Sequence, residues 1–96
     1  MSFRVTLYWN NFLGFRGPAV TSASFDSITY PSGSKTPTYT PCRVSAGGPL
    51  GNTFTVERQV GIPLGNVRYR GRHPQTGEQR TDVAAAAEGG DYTWVV

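Results

Sequence analysis

Apolar and polar residues alternate with a period of two along much of this chain, and that pattern commits it to β-structure. From Phe3 to Trp9, the residues Phe3, Val5, Leu7 and Trp9 share one parity, and Arg4, Thr6, Tyr8 and Asn10 share the other. Side chains leave a strand to alternate faces, so such a segment buries one face and wets the other. Asn52 to Val60 repeats the pattern, with Phe54, Val56, Arg58 and Val60 on one parity and Thr53, Thr55, Glu57 and Gln59 on the other. Asp91 to Val96 places Tyr92, Trp94 and Val96 on one face, as a docked final strand. Ala23 to Tyr30, with Phe25 and Ile28, and Cys42 to Ser45 add two more candidates.

Glycine, proline and asparagine punctuate these runs. Asn11 to Pro18 breaks the alternation with two glycines and a proline, and reads as a loop carrying Phe12 and Phe15. The sequence Pro-Leu-Gly-Asn occurs at 49–52 and again at 63–66, at the two ends of one strand. Proline suits the second position of a β-turn, and Gly and Asn tolerate positive φ, so the echo reads as turn chemistry used twice in a meander. Residues 30–41 hold Pro31, Pro37 and Pro41 among serines and threonines. Each proline removes a ladder donor, which leaves an edge strand or an extended arm. The single helical candidate covers 82–88, with Thr81 or Asp82 as N-cap and Gly89 as C-cap. A helix that short is marginal without packing, and a strand-like path competes with it. The expected fold is all-β: a small antiparallel β-sandwich of six or seven short strands, or else a partly open barrel.

Ninety-six residues make one domain, here 1–96 with the extended segment at about 30–41. A chain of this size has a modest core, so partner binding or self-association is an expected source of stability. With one cysteine, Cys42, no internal disulfide forms. The first residues enter the alternating pattern directly, with no charged stretch leading into an apolar one. That predicts a protein made without a secretory signal peptide, intracellular when made and then kept there or carried within a larger particle such as a virion. No run of about 18 apolar residues suggests a membrane-spanning helix.

Catalytic constellations are hard to assemble from this chain. His73 is the lone histidine, beside Pro74 at a turn. One Cys and one His do not build a closed zinc site, and the six carboxylates lack calcium-loop spacing. Gly47 to Gly51 is glycine-rich but lacks the Lys-Ser/Thr of a phosphate-binding loop and precedes a strand. Both tryptophans fall on apolar parity, which favours the core over an exposed sugar platform. The expectation is a non-enzymatic chain with no cofactor and no bound metal.

Positive charge is concentrated in arginine, with Lys35 the sole lysine in a net charge of +3. Arginine is favoured where planar, bidentate contacts form. Arg68, Arg70 and Arg72 alternate with Tyr69 and Gly71, so one strand face carries all three guanidiniums while Val67, Tyr69 and His73 take the other. The chain therefore reads as a structural or interaction protein docking on a larger assembly, such as a capsid to which it adds as a decoration or accessory protein. The expected contacts are Arg68, Arg70 and Arg72 with partner carboxylates, and Lys35, Thr38, Tyr39 and Thr40 by strand addition. A single-stranded nucleic-acid binder is the alternative, weakened by the low net charge and by the parity of Tyr69. A small inhibitor of a host enzyme is the third reading.

Overall fold

The computed structural model describes residues 2–11, 13–58 and 65–96. These form nine strands and no helix: β1 (Ser2–Asn10), β2 (Arg16–Ala19), β3 (Ser22–Thr29), β4 (Thr38–Pro41), β5 (Arg43–Gly47), β6 (Thr53–Glu57), β7 (Gly65–Arg72), β8 (Gln79–Ala86) and β9 (Asp91–Val95). They build two sheets, the first from β2, β1, β6, β5 and β9, the second in the order β4-β3-β7-β8. All pairings are antiparallel except β9, which runs parallel to β1.

β1 organises the first sheet. Its Leu7 N–H donates to the Asn52 carbonyl, and its Leu7 carbonyl accepts from Val20 N–H. Both groups of one residue face the same neighbour in an antiparallel ladder, so β6 and β2 follow one another along one edge of β1. Asn10 N–H and the Tyr8 carbonyl bond Val96, which puts the last strand on the opposite edge. Asn52 sits at the handover, 2% exposed, and its Nδ2 donates a second hydrogen bond to the Leu7 carbonyl.

The core lies between the sheets and follows the alternation. Phe3, Val5, Leu7, Trp9, Phe54 and Val56 meet Phe25, Val67 and Tyr69 from the facing sheet. Trp9 is buried, while Trp94 is half-buried and stacks on Tyr69 with ring centres 4.7 Å apart. Both tryptophans thus pack inward. Gly71 leaves room where the sheets close most tightly: a Cβ there would lie 2.9 Å from Val96 Cγ2 and 3.2 Å from Val20 Cγ1.

Four sequence expectations change, the first being the number of strands, nine among the described residues in place of six or seven. Residues 82–88 contain no helix, because β8 pairs in unbroken register with β7 through Ala86. Alanine favours helices, but a short helix nucleates poorly, and here Ala84 and Ala86 supply small faces against the core. The loop read into Asn11–Pro18 holds a strand, since Arg16–Ala19 pairs with β1 across a register shift between Tyr8 and Asn10. The meander is half present: β5 and β6 form a hairpin whose turn uses Gly48 and Gly51 at positive φ, but β7, after β6, belongs to the other sheet. Of the second echo, Pro63 and Leu64 lie outside the described residues, as does Val60, while Gly65 and Asn66 open β7. Residues 38–41 take the edge-strand form, paired to β3.

Candidate interaction surface

Alternation along β7 puts Val67, Tyr69 and Gly71 in the core and turns Arg68, Arg70 and Arg72 to solvent. The register carries this face across the second sheet. Ser22, Ser24 and Asp26 of β3 lie opposite Arg72, Arg70 and Arg68, and on the other side Gln79, Thr81 and Val83 of β8 lie opposite the same three arginines. Tyr39, paired with Ile28, brings β4 onto the same face.

The three arginines differ in state. Arg68 is held: its Nε and Nη2 donate to Asp26 Oδ2 at 3.1 and 2.7 Å, and its guanidinium lies 3.6 Å from the Tyr39 ring centre. This half-buried assembly neutralises its charge within the chain and orients Tyr39. Arg70 donates to the Thr81 hydroxyl at 3.2 Å and has no carboxylate partner among the described residues. Arg72 is exposed and also lacks one. Between them lies a shallow hollow of about 180 Å³, lined by Ser22, Ser24, Arg70, Arg72 and Gln79 over the backbone of Ala23 and Gly71. Two guanidiniums, two hydroxyls and an amide without a carboxylate are a donor-rich setting for an anionic oxygen group.

A larger hollow of about 460 Å³ lies on the outer face of the first sheet, lined by Arg4, Thr6, Ser45, Thr53, Thr55 and Asp91 among others. Its charge is already neutralised, since Arg4 Nη2 donates to Asp91 Oδ2. That hydrogen bond is the main reason the Asp91 carboxyl is held below its ordinary range and the Arg4 guanidinium above its own. Size therefore favours the first sheet, while available charge favours the second.

The remaining expected contact residues divide. Tyr39 joins the arginine face, but Thr38 and Thr40 have the opposite parity on β4, and Lys35 sits in the exposed loop before it. Backbone geometry also argues against strand addition at β4. Cys42 N–H donates to the Phe25 carbonyl, so alternate residues Thr40 and Thr38 face β3, and positions 37, 39 and 41 face outward. Two of those three are proline, which leaves Tyr39 as the lone outward donor.

The other candidates make contacts within the fold. His73 Nδ1 accepts from the backbone N–H groups of Gln75 and Thr76, each at 3.1 Å, and its ring packs edge-on against Trp9. Cys42 is half-buried, with its Sγ 3.3 Å from Ser27 Oγ. Arg58, 6% exposed, donates from Nη2 to the carbonyls of Gly65 and Ala86 at 3.0 and 3.1 Å, tying the end of β6 to β7 and β8. Its apolar parity in the sequence already marked it as inward-facing. Burial pushes the Tyr69 phenol up to about 12, helped by the nearby Asp82 carboxylate. Among the described residues no three His, Cys, Asp or Glu side chains cluster as a metal site.

Sequence reasoning missed Ser22, Ser24, Gln79 and Asp26 as neighbours of the arginines. The parity of the serines and Asp26 opposite Phe25 was available, but which strands flank β7 is a matter of topology. A second exposed apolar feature is the β1–β2 connection, where Leu13 and Phe15 are 64% and 68% exposed. Asn11 Oδ1 accepts from both of their N–H groups and shapes the turn. Phe12 lies outside the described residues. Comparison with known proteins finds no matching family model, no matching curated protein and no matching solved structure.

Proposed function

We propose that this chain is a non-enzymatic interaction protein that docks on a larger assembly through the outer face of its second sheet, against an acidic protein surface. The observation that carries the reading is the unequal state of the three arginines: Arg68 is neutralised by Asp26, while Arg70 and Arg72 flank a hydroxyl-lined hollow with no carboxylate. The planar guanidinium fork is pre-organised, so less freedom is lost per hydrogen bond formed, and carboxylates fit it bidentately. Tyr39, Ile28 and Val83 on the same face supply apolar area beside the charge. A virion shell is the assembly suggested by the small β-domain profile, with the chain as a capsid decoration or accessory protein.

The nucleic-acid reading gains one specific feature. Tyr69 points inward, but Tyr39 supplies an exposed aromatic beside the arginines. Titration of the purified protein with a labelled poly-glutamate peptide and with a single-stranded oligonucleotide separates the two. Docking on acidic protein predicts binding to the peptide that falls about tenfold or more in Arg70→Ser/Arg72→Ser. Tighter binding to the oligonucleotide, with a log-log salt slope that flattens by about 1 to 2 units in that variant, would favour nucleic acid. No binding to either sinks the arginine-face reading and leaves the inhibitor class, which a one-to-one complex with a host enzyme would establish.

A further inference from the structure

We infer that β8 is a self-association edge, pairing antiparallel with β8 of a second copy about a two-fold axis through Thr81. The inference stands independently of what the arginine face binds.

β8 is the longest edge strand of the sandwich, eight residues without proline and with no register break against β7. Its outward groups follow from the ladder. His73 N–H donates to the Glu78 carbonyl, so hydrogen-bonded pairs continue at every second step through Arg80, Asp82, Ala84 and Ala86. Gln79, Thr81, Val83 and Ala85 therefore direct their N–H and C=O groups away from the sheet. The other edges are shorter or blunted: β4 by Pro37 and Pro41, β2 by Pro18, β5 by a length of five residues ending in glycine, and β9, on the far side of β1, by a length of five residues. Long, regular, uncovered edges are templates for further pairing.

Charge selects the occupant and the register. With Thr81 on the axis, Gln79 pairs with Val83 of the second copy, and Arg80, which within its own chain donates to the Asn10 carbonyl at 3.1 Å, lies over the Trp9 ring and stands 3.7 Å from Glu78 Oε1, is set across from Asp82 of the other copy. Opposite charges at directly facing positions stabilise a strand pair, and a two-fold axis supplies this pair twice. Sliding by the next allowed step sets Asp82 against Asp82, which repels. Asp82 has a second role at this edge: its Oδ1 accepts the outward N–H of Val83 at 2.8 Å. In the isolated chain the carboxylate covers that donor with Oδ1 while Oδ2 accepts from the Tyr69 hydroxyl at 3.5 Å; in the pair Oδ1 turns to Arg80 of the second copy and frees the Val83 donor for the ladder.

Sedimentation velocity from about 1 µM to about 1 mM tests this. The expected result is a reversible shift from the 10.4 kDa chain to twice that mass. Thr81→Pro removes an outward donor without touching the β7–β8 ladder, and weakens dimerisation by about tenfold or more. Asp82→Arg weakens it similarly, and adding Arg80→Asp restores it. In the unmodified chain, exchange of the amide hydrogens of Gln79, Thr81 and Ala85 slows as protein concentration rises, a readout independent of any variant's folding. A chain that stays at 10.4 kDa throughout overturns the inference. So does a dimer whose strength ignores Thr81→Pro and whose outward amides exchange at an unchanged rate.

Discussion

Single side chains decide how closely the two sheets approach and which groups remain available. Gly71 occupies the tightest point of the core, where an added Cβ meets Val96, Val20 and Leu7. Gly71→Ala is expected to destabilise the fold by about 1–3 kcal/mol, measured by chemical denaturation, because these neighbours must shift together. Tyr69 carries a pH signature. Its phenol titrates near 12 in the folded chain against an ordinary 10.0, chiefly because it is buried. The folded state therefore favours the neutral phenol: its contribution is fully present below pH 10 and is lost as pH rises towards 12. Tyr69→Phe should lose less stability than the parent over that window, and equal losses in parallel denaturation curves would refute the assignment. Arg58 is buried with its guanidinium on two carbonyls, a geometry that an ammonium does not reproduce. Arg58→Lys is expected to cost about 1–3 kcal/mol in the same assay.

At the level of the strand, hydrogen-bond parity is the useful variable. Ala84 and Ala85 are adjacent and chemically identical, yet Ala84 bonds to β7 while Ala85 faces outward. Ala84→Pro should destabilise by about 1–3 kcal/mol more than Ala85→Pro, as read from thermal melts of the two variants. Equal effects would mean that the ladder assignment is wrong. Parity is also what made most strands readable from sequence: Phe3 to Trp9, Phe54 to Val56 and Val67 to Arg72 each alternate as the structure does. What escaped was decided by partners distant in sequence. Arg16–Ala19 shows no alternation and becomes a strand because β1 offers it an edge beyond Leu7. The alanine run at 84–87 has helical propensity of its own, and only the register with β7 draws its first three residues into a strand. For the interaction surface, the arginine spacing was visible in sequence. The serines, Gln79 and the neutralising Asp26 depend on strand order, which alternation does not encode.

The whole molecule is a two-layer sandwich whose outer faces are electrostatically unlike. On the first sheet, Arg4 and Asp91 neutralise each other beside a threonine-rich hollow. The outer face of the second sheet pairs Arg68 with Asp26 and leaves Arg70 and Arg72 to solvent. Among the described residues Asp26 is the only carboxylate bonded to the arginine row, so Asp26→Asn should unmask Arg68, tightening binding of an acidic peptide several-fold while lowering stability by about 1 kcal/mol. Isothermal titration beside a denaturant melt checks both signs in one preparation. The central claim, that docking uses the outer face of the second sheet, is tested most directly by amide chemical-shift mapping during titration with poly-glutamate. The account predicts shifts centred on Ser22, Ser24, Arg70, Arg72 and Gln79, abolished in Arg70→Ser/Arg72→Ser. Shifts confined to the Arg4–Asp91 face or to the Leu13–Phe15 turn, or no shifts at all, would contradict it.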